Sequence, residues 1–154
     1  MFARDLAAPY PTVRMDTDGV TAARLLTEHG RPGLIVVDEH DHPIAVLPGS
    51  QVMRAIIPRY VQDDPSLAGV LEGDFADHLC DVLAQRRVAE LIPTDRAPFP
   101  IVGPDATALE VAALMATHRT PLVAVTEAAG QGSPLLGAIT VSDLLGRLLP
   151  IPRG

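Results

Sequence analysis

One short stretch of the sequence combines two hydroxyl groups and a carboxylate at the start of a predicted helix. In GAITVSDLL, residues 137–145, an apolar run ends at Thr140, and Ser142 and Asp143 follow closely. A carboxylate can accept hydrogen bonds from both hydroxyl groups of a diol such as a ribose. Hydroxyl groups and free backbone N–H groups at a helix N-terminus suit a phosphate, because the helix dipole also favours an anion. The same residues would also make an ordinary helix start, with Thr140 or Ser142 as the cap and Asp143 in the first turn.

An earlier stretch has the same pattern but different chemistry. AVLPGSQVM, residues 45–53, has Pro48 and Gln51 where the later stretch has Thr140 and Asp143. Proline removes a backbone donor, and the glutamine amide makes hydrogen bonds but lacks the charge that suits a diol. The two stretches therefore offer different groups to a ligand, and only the later one has a charged acceptor.

Three other features resemble parts of functional sites but have simpler structural interpretations. Residues 38–42, DEHDH, resemble a metal cluster, but they fall in a predicted hairpin turn, where polar residues are usually solvated. Asp74 and His78 have the i, i+4 spacing of an ordinary helix-surface pair. Cys80 has no cationic neighbour close in sequence, so we interpret it as a small buried residue of a helix. We therefore predict no metal site and no catalytic residue.

The composition excludes several classes of function. The chain has 154 residues, which corresponds to one domain or two small units that share a core. Its net charge is −7, whereas a nucleic-acid surface needs clustered positive charge. All 12 basic residues are arginine, so a Walker-type phosphate loop and a Schiff-base lysine are both excluded. The sequence has no signal-peptide pattern and no apolar run of roughly 20 residues, so we predict a cytoplasmic protein without membrane insertion.

The chain repeats itself. PYPTV at 9–13 recurs as PFPIV at 98–102, and the segments that begin at Asp16 and Asp105 match at the same offset. Matching residues at one constant offset indicate a duplication. The duplication places residues 45–53 and 137–145 at equivalent positions of the two repeats.

Each repeat has the predicted order β-α-β-β-α. In the first repeat, Thr17 or Asp18 can cap the long helix and Gly30 can close it. In the second repeat, Thr107 is the predicted cap. The predicted apolar stripe of that second helix consists of Leu109, Ala112, Ala113 and Ala116. The predicted hairpin strands are 34–37 and 44–47 in the first repeat and 122–125 and 135–139 in the second.

The duplication does not explain a segment of roughly residues 62–92. Asp64 followed by Pro65 predicts a helix start. Apolar residues at three- and four-residue spacing then predict an amphipathic helix, or a pair of helices bent near Gly73. Its apolar face would pack either on the chain's own sheet or on another subunit or partner.

These features together resemble the tandem CBS-domain family, which takes its name from cystathionine β-synthase. The resemblance rests on the paired β-α-β-β-α units, their proline-containing openings and the closing Gly-h-h-Thr-x-x-Asp-Leu-Leu, where h is apolar. It implies an α+β fold of two repeats related by a pseudo-twofold axis, with two clefts between them. We predict a first repeat over 1–60, a helical insert over 61–92 and a second repeat over 93–154. No catalytic or transporter segment is attached, so the chain resembles a stand-alone CBS pair.

The resemblance implies a sensor of an adenosine-containing ligand, namely AMP, ADP, ATP or S-adenosylmethionine. In the family, the aspartate of the closing motif holds the ribose hydroxyls, a nearby hydroxyl contacts phosphate or ribose, and the other repeat completes the pocket. The predicted ligand-binding residues are therefore Thr17, Arg31, Thr140, Ser142 and Asp143. The residues of the degenerate cleft would be Pro48, Ser50, Gln51, Ala106 and Arg119.

Partners and alternative functions follow from the same resemblance. It implies a homodimer that signals to a regulated protein, whose identity the sequence does not indicate, and it implies no required cofactor. The alternative is a ligand-free dimerisation or partner-binding scaffold, which the degenerate first repeat and the apolar central helix would support. An enzyme is the other class, but the sequence has no nucleophile elbow, dinucleotide fingerprint or zinc spacing. We therefore predict a non-catalytic protein.

Overall fold

The computed structural model describes residues 1–69, 75–93, 99–128 and 132–150. Within them, the chain forms six strands and eight α-helices, which confirms the predicted α+β class. The strands are β1 (Thr12–Arg14), β2 (Gly33–Val37), β3 (Pro43–Pro48), β4 (Ile101–Val102), β5 (Leu122–Thr126) and β6 (Leu135–Thr140). The helices are α1 (Ala3–Leu6), α2 (Gly19–His29), α3 (Gly49–Ile56), α4 (Arg59–Asp63), α5 (Phe75–Gln85), α6 (Val88–Leu91), α7 (Ala108–His118) and α8 (Val141–Leu148). Both repeats thus have the predicted order, as β1-α2-β2-β3-α3 and β4-α7-β5-β6-α8.

The chain divides into two compact units. Unit 1 consists of Met1–Tyr10, Val37–Ile44 and Ala97–Gly154, and unit 2 consists of Pro11–Val36 and Ala45–Arg96. Two three-stranded sheets have the orders β1-β2-β3 and β4-β5-β6. In the second sheet, β4 runs parallel to β5 and β5 antiparallel to β6, which sets Leu122 opposite Thr140. The closing helix of each repeat therefore starts directly from an edge strand.

A capping aspartate and a glycine define the two ends of α2 in unit 2. The Asp18 carboxylate accepts the Thr21 N–H at 3.0 Å and the Thr21 hydroxyl at 2.6 Å, so Asp18 is the cap. Gly30 ends the helix in the left-handed region at a φ of 55°, where glycine carries no steric penalty. The predicted start and end of this helix are both confirmed.

The helix α7 in unit 1 begins with a reciprocal cap and ends without a glycine. The Thr107 hydroxyl accepts the Glu110 N–H at 3.2 Å, and the Glu110 carboxylate accepts the Thr107 N–H at 3.1 Å. This capping box satisfies two backbone donors and confirms the predicted start at Thr107. Arg119 closes the helix with a φ of 50°, in the position that Gly30 takes in the first repeat.

The predicted apolar stripe of α7 is wrong at three of its four positions, and only Ala112 packs against the core, where it is partly buried. Leu109 is 79% exposed, and Ala113 and Ala116 are exposed as well. Val111 and Met115 form the buried face instead. Alanine fits an exposed or a buried helix face, so an alanine-rich pattern fixes the face poorly, and the larger apolar side chains decide it.

The N-terminal segment helps to build the core of unit 1. Helix α1 places Ala3 at 0% and Leu6 at 5% exposure in that core. The Ala3 N–H donates to the Ala106 carbonyl at 2.7 Å, which ties the segment to the loop before α7. The other buried members of the core are Val102, Val111, Met115, Val123, Val125, Ile139 and Leu144.

The central segment is helical, but less regular than expected. A 3₁₀ turn over Pro65–Gly69 starts where the Asp64–Pro65 pair predicts a helix. Helix α5 then packs on α2 and α3 of the same unit and buries Leu83.

The predicted bend near Gly73 and the Asp74–His78 pair involve positions outside the described residues. Cys80 is exposed on α5, so its interpretation as a buried residue is wrong. No helix in the described ranges has the length and apolar character needed to cross a bilayer.

Candidate functional site

Thr140 joins β6 to α8 and is almost completely buried. Its side chain oxygen accepts the Asp143 N–H at 3.0 Å, which makes it the N-cap of α8. The Val141 N–H donates to the Pro121 carbonyl at 3.0 Å and anchors the first helical residue to the loop before β5. Thr140 is 4% exposed, so this junction is a rigid part of unit 1. The capping interpretation is thus confirmed for Thr140, whose hydroxyl hydrogen can still donate to another group.

Asp143 lies in the first turn of α8, and its carboxylate oxygens can still accept hydrogen bonds. The residue is half-buried, and among the described residues no donor is paired with its side-chain oxygens. Ser142 is exposed one position earlier. The start of α8 thus brings together a capped helix N-terminus, an exposed hydroxyl and a carboxylate with open lone pairs. This set can bind a group that carries hydroxyls or a phosphate.

Ala8 supports the strand that carries Thr140. Ala8 and Ala138 exchange two backbone hydrogen bonds of 3.0 Å each, so the N-terminal segment pairs with β6. A Cβ on Gly137 would stand 2.7 Å from the Ala8 carbonyl oxygen, which explains why the motif begins with glycine. Sequence reasoning missed Ala8, although a glycine inside a predicted strand is a signal of close backbone approach.

The equivalent junction in unit 2 is built without a side-chain cap. Pro48 is the N-cap residue of α3 and makes no capping hydrogen bond. The Gly49 N–H donates to the Pro32 carbonyl at 3.2 Å, as the Val141 N–H does to Pro121 in unit 1. The backbone connection is therefore the same in both repeats. The difference lies in the side chains, because Gln51 stands where the second repeat has Asp143.

Thr17 and Arg31, the other two predicted ligand-binding residues, belong to unit 2. The Thr17 hydroxyl accepts the Arg14 N–H at 3.1 Å, and the Thr17 carbonyl accepts the Val88 N–H at 2.8 Å, so Thr17 closes the turn between β1 and α2. Arg31 is half-buried between α2 and β2. The structure thus holds Thr140, Ser142 and Asp143 together within unit 1. That Thr17 and Arg31 share a pocket with them stays a prediction.

Asp38 organises the turn of residues 38–42. Its Oδ1 accepts the His40 N–H at 2.8 Å and the His42 N–H at 2.9 Å. The backbone N–H of His42 is the main cause that lowers the pKa of Asp38 below 3.8. In the described parts of the chain, no three His, Cys, Asp or Glu side chains are grouped so that they could hold a metal ion. The role visible for Asp38 is to hold its own turn.

The fold and the α8 junction define a module of two β-α-β-β-α repeats, of which one carries the polar closing motif. A sequence model of the CBS domain matches residues 3–58 and 88–150. The chain belongs to the CBS-domain family. No curated protein matches the chain.

Solved structures support the same assignment. A CBS domain-containing protein of unknown function from Kribbella flavida is 46% identical, with a TM-score of 0.85 over 97% of this chain and 99% of that one. The CBS domain of a membrane protein from Sphaerobacter thermophilus is 24% identical, with a TM-score of 0.72 over 97% and 88% of the two chains. CBSX2 in complex with AMP is 17% identical, with a TM-score of 0.65 over 95% and 94%. The two more distant structures are similar in fold.

Proposed function

We propose that this protein is a non-catalytic regulatory module that binds an adenosine-containing ligand and reports its presence to a partner protein. The ligand is AMP, ADP, ATP or S-adenosylmethionine, and the module works in the cytoplasm. Each chain has one competent ligand site, formed around the start of α8, and one degenerate counterpart around the start of α3.

The contrast between the two helix starts carries this proposal. Thr140 caps α8 and leaves the Asp143 carboxylate without a described partner, whereas Pro48 gives α3 no side-chain cap and Gln51 supplies no charge. A carboxylate in the first turn also suits the dipole of α8, but a purely structural duplication would not need the two starts to differ in this way. CBSX2, a structure of similar fold, is described as a complex with AMP, which supports the ligand class.

The proposed roles follow from the chemistry of each side chain. Asp143 accepts both ribose hydroxyls through its two oxygens, and the Thr140 and Ser142 hydroxyls contact ribose or phosphate. Arg31 contributes a guanidinium, the group best suited to phosphate oxygens, and Thr17 contributes a further hydroxyl. S-Adenosylmethionine lacks a phosphate, so it would use the ribose contacts without the arginine.

We also propose that the chain forms a homodimer through an apolar surface of unit 1. This surface, called the α7–α8 apolar surface below, consists of Leu109 at 79%, Leu145 at 48%, Leu148 at 53% and Leu149 at 61% exposure. Leu145 and Leu148 lie three residues apart, so they share one face of α8, and Leu149 follows directly after the helix. Exposed apolar patches of this kind mark interaction sites.

A thermal-shift screen with the four ligands tests the proposal. A ligand that binds only the folded protein raises its melting temperature, by an amount that grows with ligand concentration. We expect at least one of the four to shift wild-type protein and to shift Asp143→Ala much less. A matched control is Asp63→Ala, which removes an exposed carboxylate from α4 of unit 2 and should respond as wild type does. No shift from any ligand at millimolar concentration would contradict the sensor and favour the ligand-free scaffold.

A further inference from the structure

A second, chemically different cleft lies entirely within unit 2. It is open, has a volume of ≈ 460 Å³, and lies where α3 ends and α4 begins, beside α5. Three of the residues that line it are arginines, namely Arg54, Arg59 and Arg86. A quarter of the chain's 12 basic residues thus line one cleft in a protein whose net charge is −7. A local excess of positive charge on an acidic protein attracts anions to that place.

Few carboxylates of the described residues lie close enough to neutralise the guanidinium groups of this cleft. Among the described residues, no carboxylate lies within ion-pair distance of Arg54 or Arg59. Arg86 has one, Glu90, at 3.7 Å, which is longer than a hydrogen bond and half exposed. All three arginine side chains are exposed, so an anion from solution can reach them.

The rest of the cleft combines a fixed connection between α3 and α4 with a few apolar lining residues. Gln62 donates through Nε2 to the Arg54 carbonyl at 2.8 Å and to the Ile57 carbonyl at 2.7 Å, which locks the connection between α3 and α4. Ile57, Pro58 and Val82 are half-buried and supply apolar lining. Arginines beside a few apolar residues suit a small molecule that has an anionic group and an organic body.

From these observations we propose that the unit 2 cleft binds a phosphorylated small molecule through Arg54, Arg59 and Arg86. The guanidinium fork matches phosphate oxygens in two-point geometry, and several forks together favour a group with more than one phosphate charge. This site does not depend on Asp143, so it can exist whether or not the proposed adenosine site does.

Calorimetric titration with pyrophosphate at fixed ionic strength tests the proposal. We expect saturable binding to wild-type protein, and binding about tenfold weaker for each of Arg54→Gln and Arg59→Gln, because each removes a charge-assisted pair. Arg24→Gln is the matched control, since it removes an exposed arginine from α2 outside the cleft and should bind as wild type does. Asp143→Ala should also bind pyrophosphate normally.

Two results would overturn the proposal. One is heat no greater than that of sodium chloride at equal ionic strength, and the other is equal affinity for Arg54→Gln, Arg59→Gln and Arg24→Gln. A second pair of probes separates a free anion from a phosphorylated organic molecule. Phenyl phosphate should bind more tightly than inorganic phosphate, because Ile57, Pro58 and Val82 can contact its ring, and equal binding would overturn that part of the proposal.

Discussion

The Thr140 hydroxyl accepts the Asp143 N–H and thereby fixes the first turn of α8. This bond uses the backbone donor of Asp143 for the cap, and among the described residues no donor is paired with the carboxylate of the same residue. Under the proposed function, one turn therefore provides both the helix cap and a ligand-binding group. A substitution at Thr140 should lower stability, whereas a substitution at Asp143 should mainly lower ligand affinity.

Replacing Thr140 by valine should cost about 1 kcal/mol of the free energy of unfolding, because the cap is lost while the shape is nearly kept. Thr140→Ser keeps the capping hydroxyl but removes a methyl group from a nearly buried position, which by itself should cost about 0.8 kcal/mol. Urea unfolding of the three proteins measures the difference. A Thr140→Val protein as stable as wild type would show that the capping bond contributes nothing.

Asp18 should make the stability of α2 dependent on pH. The hydroxyl and then the backbone N–H of Thr21 are the main causes that hold the pKa of Asp18 below 3.8. Because the pKa of Asp18 is lower in the folded state, its ionised carboxylate adds to the free energy of unfolding. This addition is complete at pH values above 3.8 and disappears as the pH falls through the folded pKa. Urea unfolding at several pH values should show wild type losing stability relative to Asp18→Asn only in this acidic range. Parallel curves for the two proteins would contradict the assignment.

The caps could be predicted because each depends on residues no more than three positions apart. Asp18, Thr107 and Thr140 are short polar residues directly before apolar helices, and the structure places each at a helix start. The proposed ligand site is only partly a local feature of the sequence, and it stays a prediction. Thr140, Ser142 and Asp143 are neighbours in sequence, but a pocket that also includes Thr17 and Arg31 depends on contacts that no local pattern encodes.

Strand β6 and the N-terminal segment form a paired element that supports the α8 junction. The Cβ of an alanine at position 137 would meet the Ala8 carbonyl oxygen at 2.7 Å, so one of the two backbones would have to move. We expect Gly137→Ala to destabilise the protein by about 1–3 kcal/mol. The control is Gly146→Ala within α8, where a Cβ meets nothing within 4 Å, so helix propensity should stabilise by about 0.5–1 kcal/mol. Thermal unfolding that moves in the same direction for both variants would contradict this account.

The misplaced face of α7 and the unrecognised role of the N-terminal segment have physical reasons. The predicted stripe of α7 contained three alanines, which bury little area, whereas Val111 and Met115 bury more and set the orientation.

Helix α1 has four residues, too few for a hydrophobic period to appear in the sequence. Its place in the core depends on Ala3 and Leu6 meeting residues that are about a hundred positions away.

For the whole molecule, the α7–α8 apolar surface should determine the oligomeric state. We expect wild-type protein to sediment as a dimer at tens of micromolar and Leu145→Glu/Leu148→Glu to sediment as a folded monomer, because buried charges disfavour an apolar interface. The matched control is Leu136→Glu, which changes a similarly exposed leucine of β6 and should leave the dimer intact. A monomeric wild type, or a dimer in both variants, would contradict the proposed interface.

The asymmetry between the repeats is best tested by calorimetric titration of the adenosine ligand that gives the largest thermal shift. Wild type, Asp143→Asn and Gln51→Asn are compared at one ionic strength, because both substitutions leave an amide and change little volume. We expect affinity at least about tenfold lower for Asp143→Asn than for wild type, because a charged acceptor is lost, and no change for Gln51→Asn. Equal affinity for Asp143→Asn and wild type, or loss of binding in Gln51→Asn, would contradict the account.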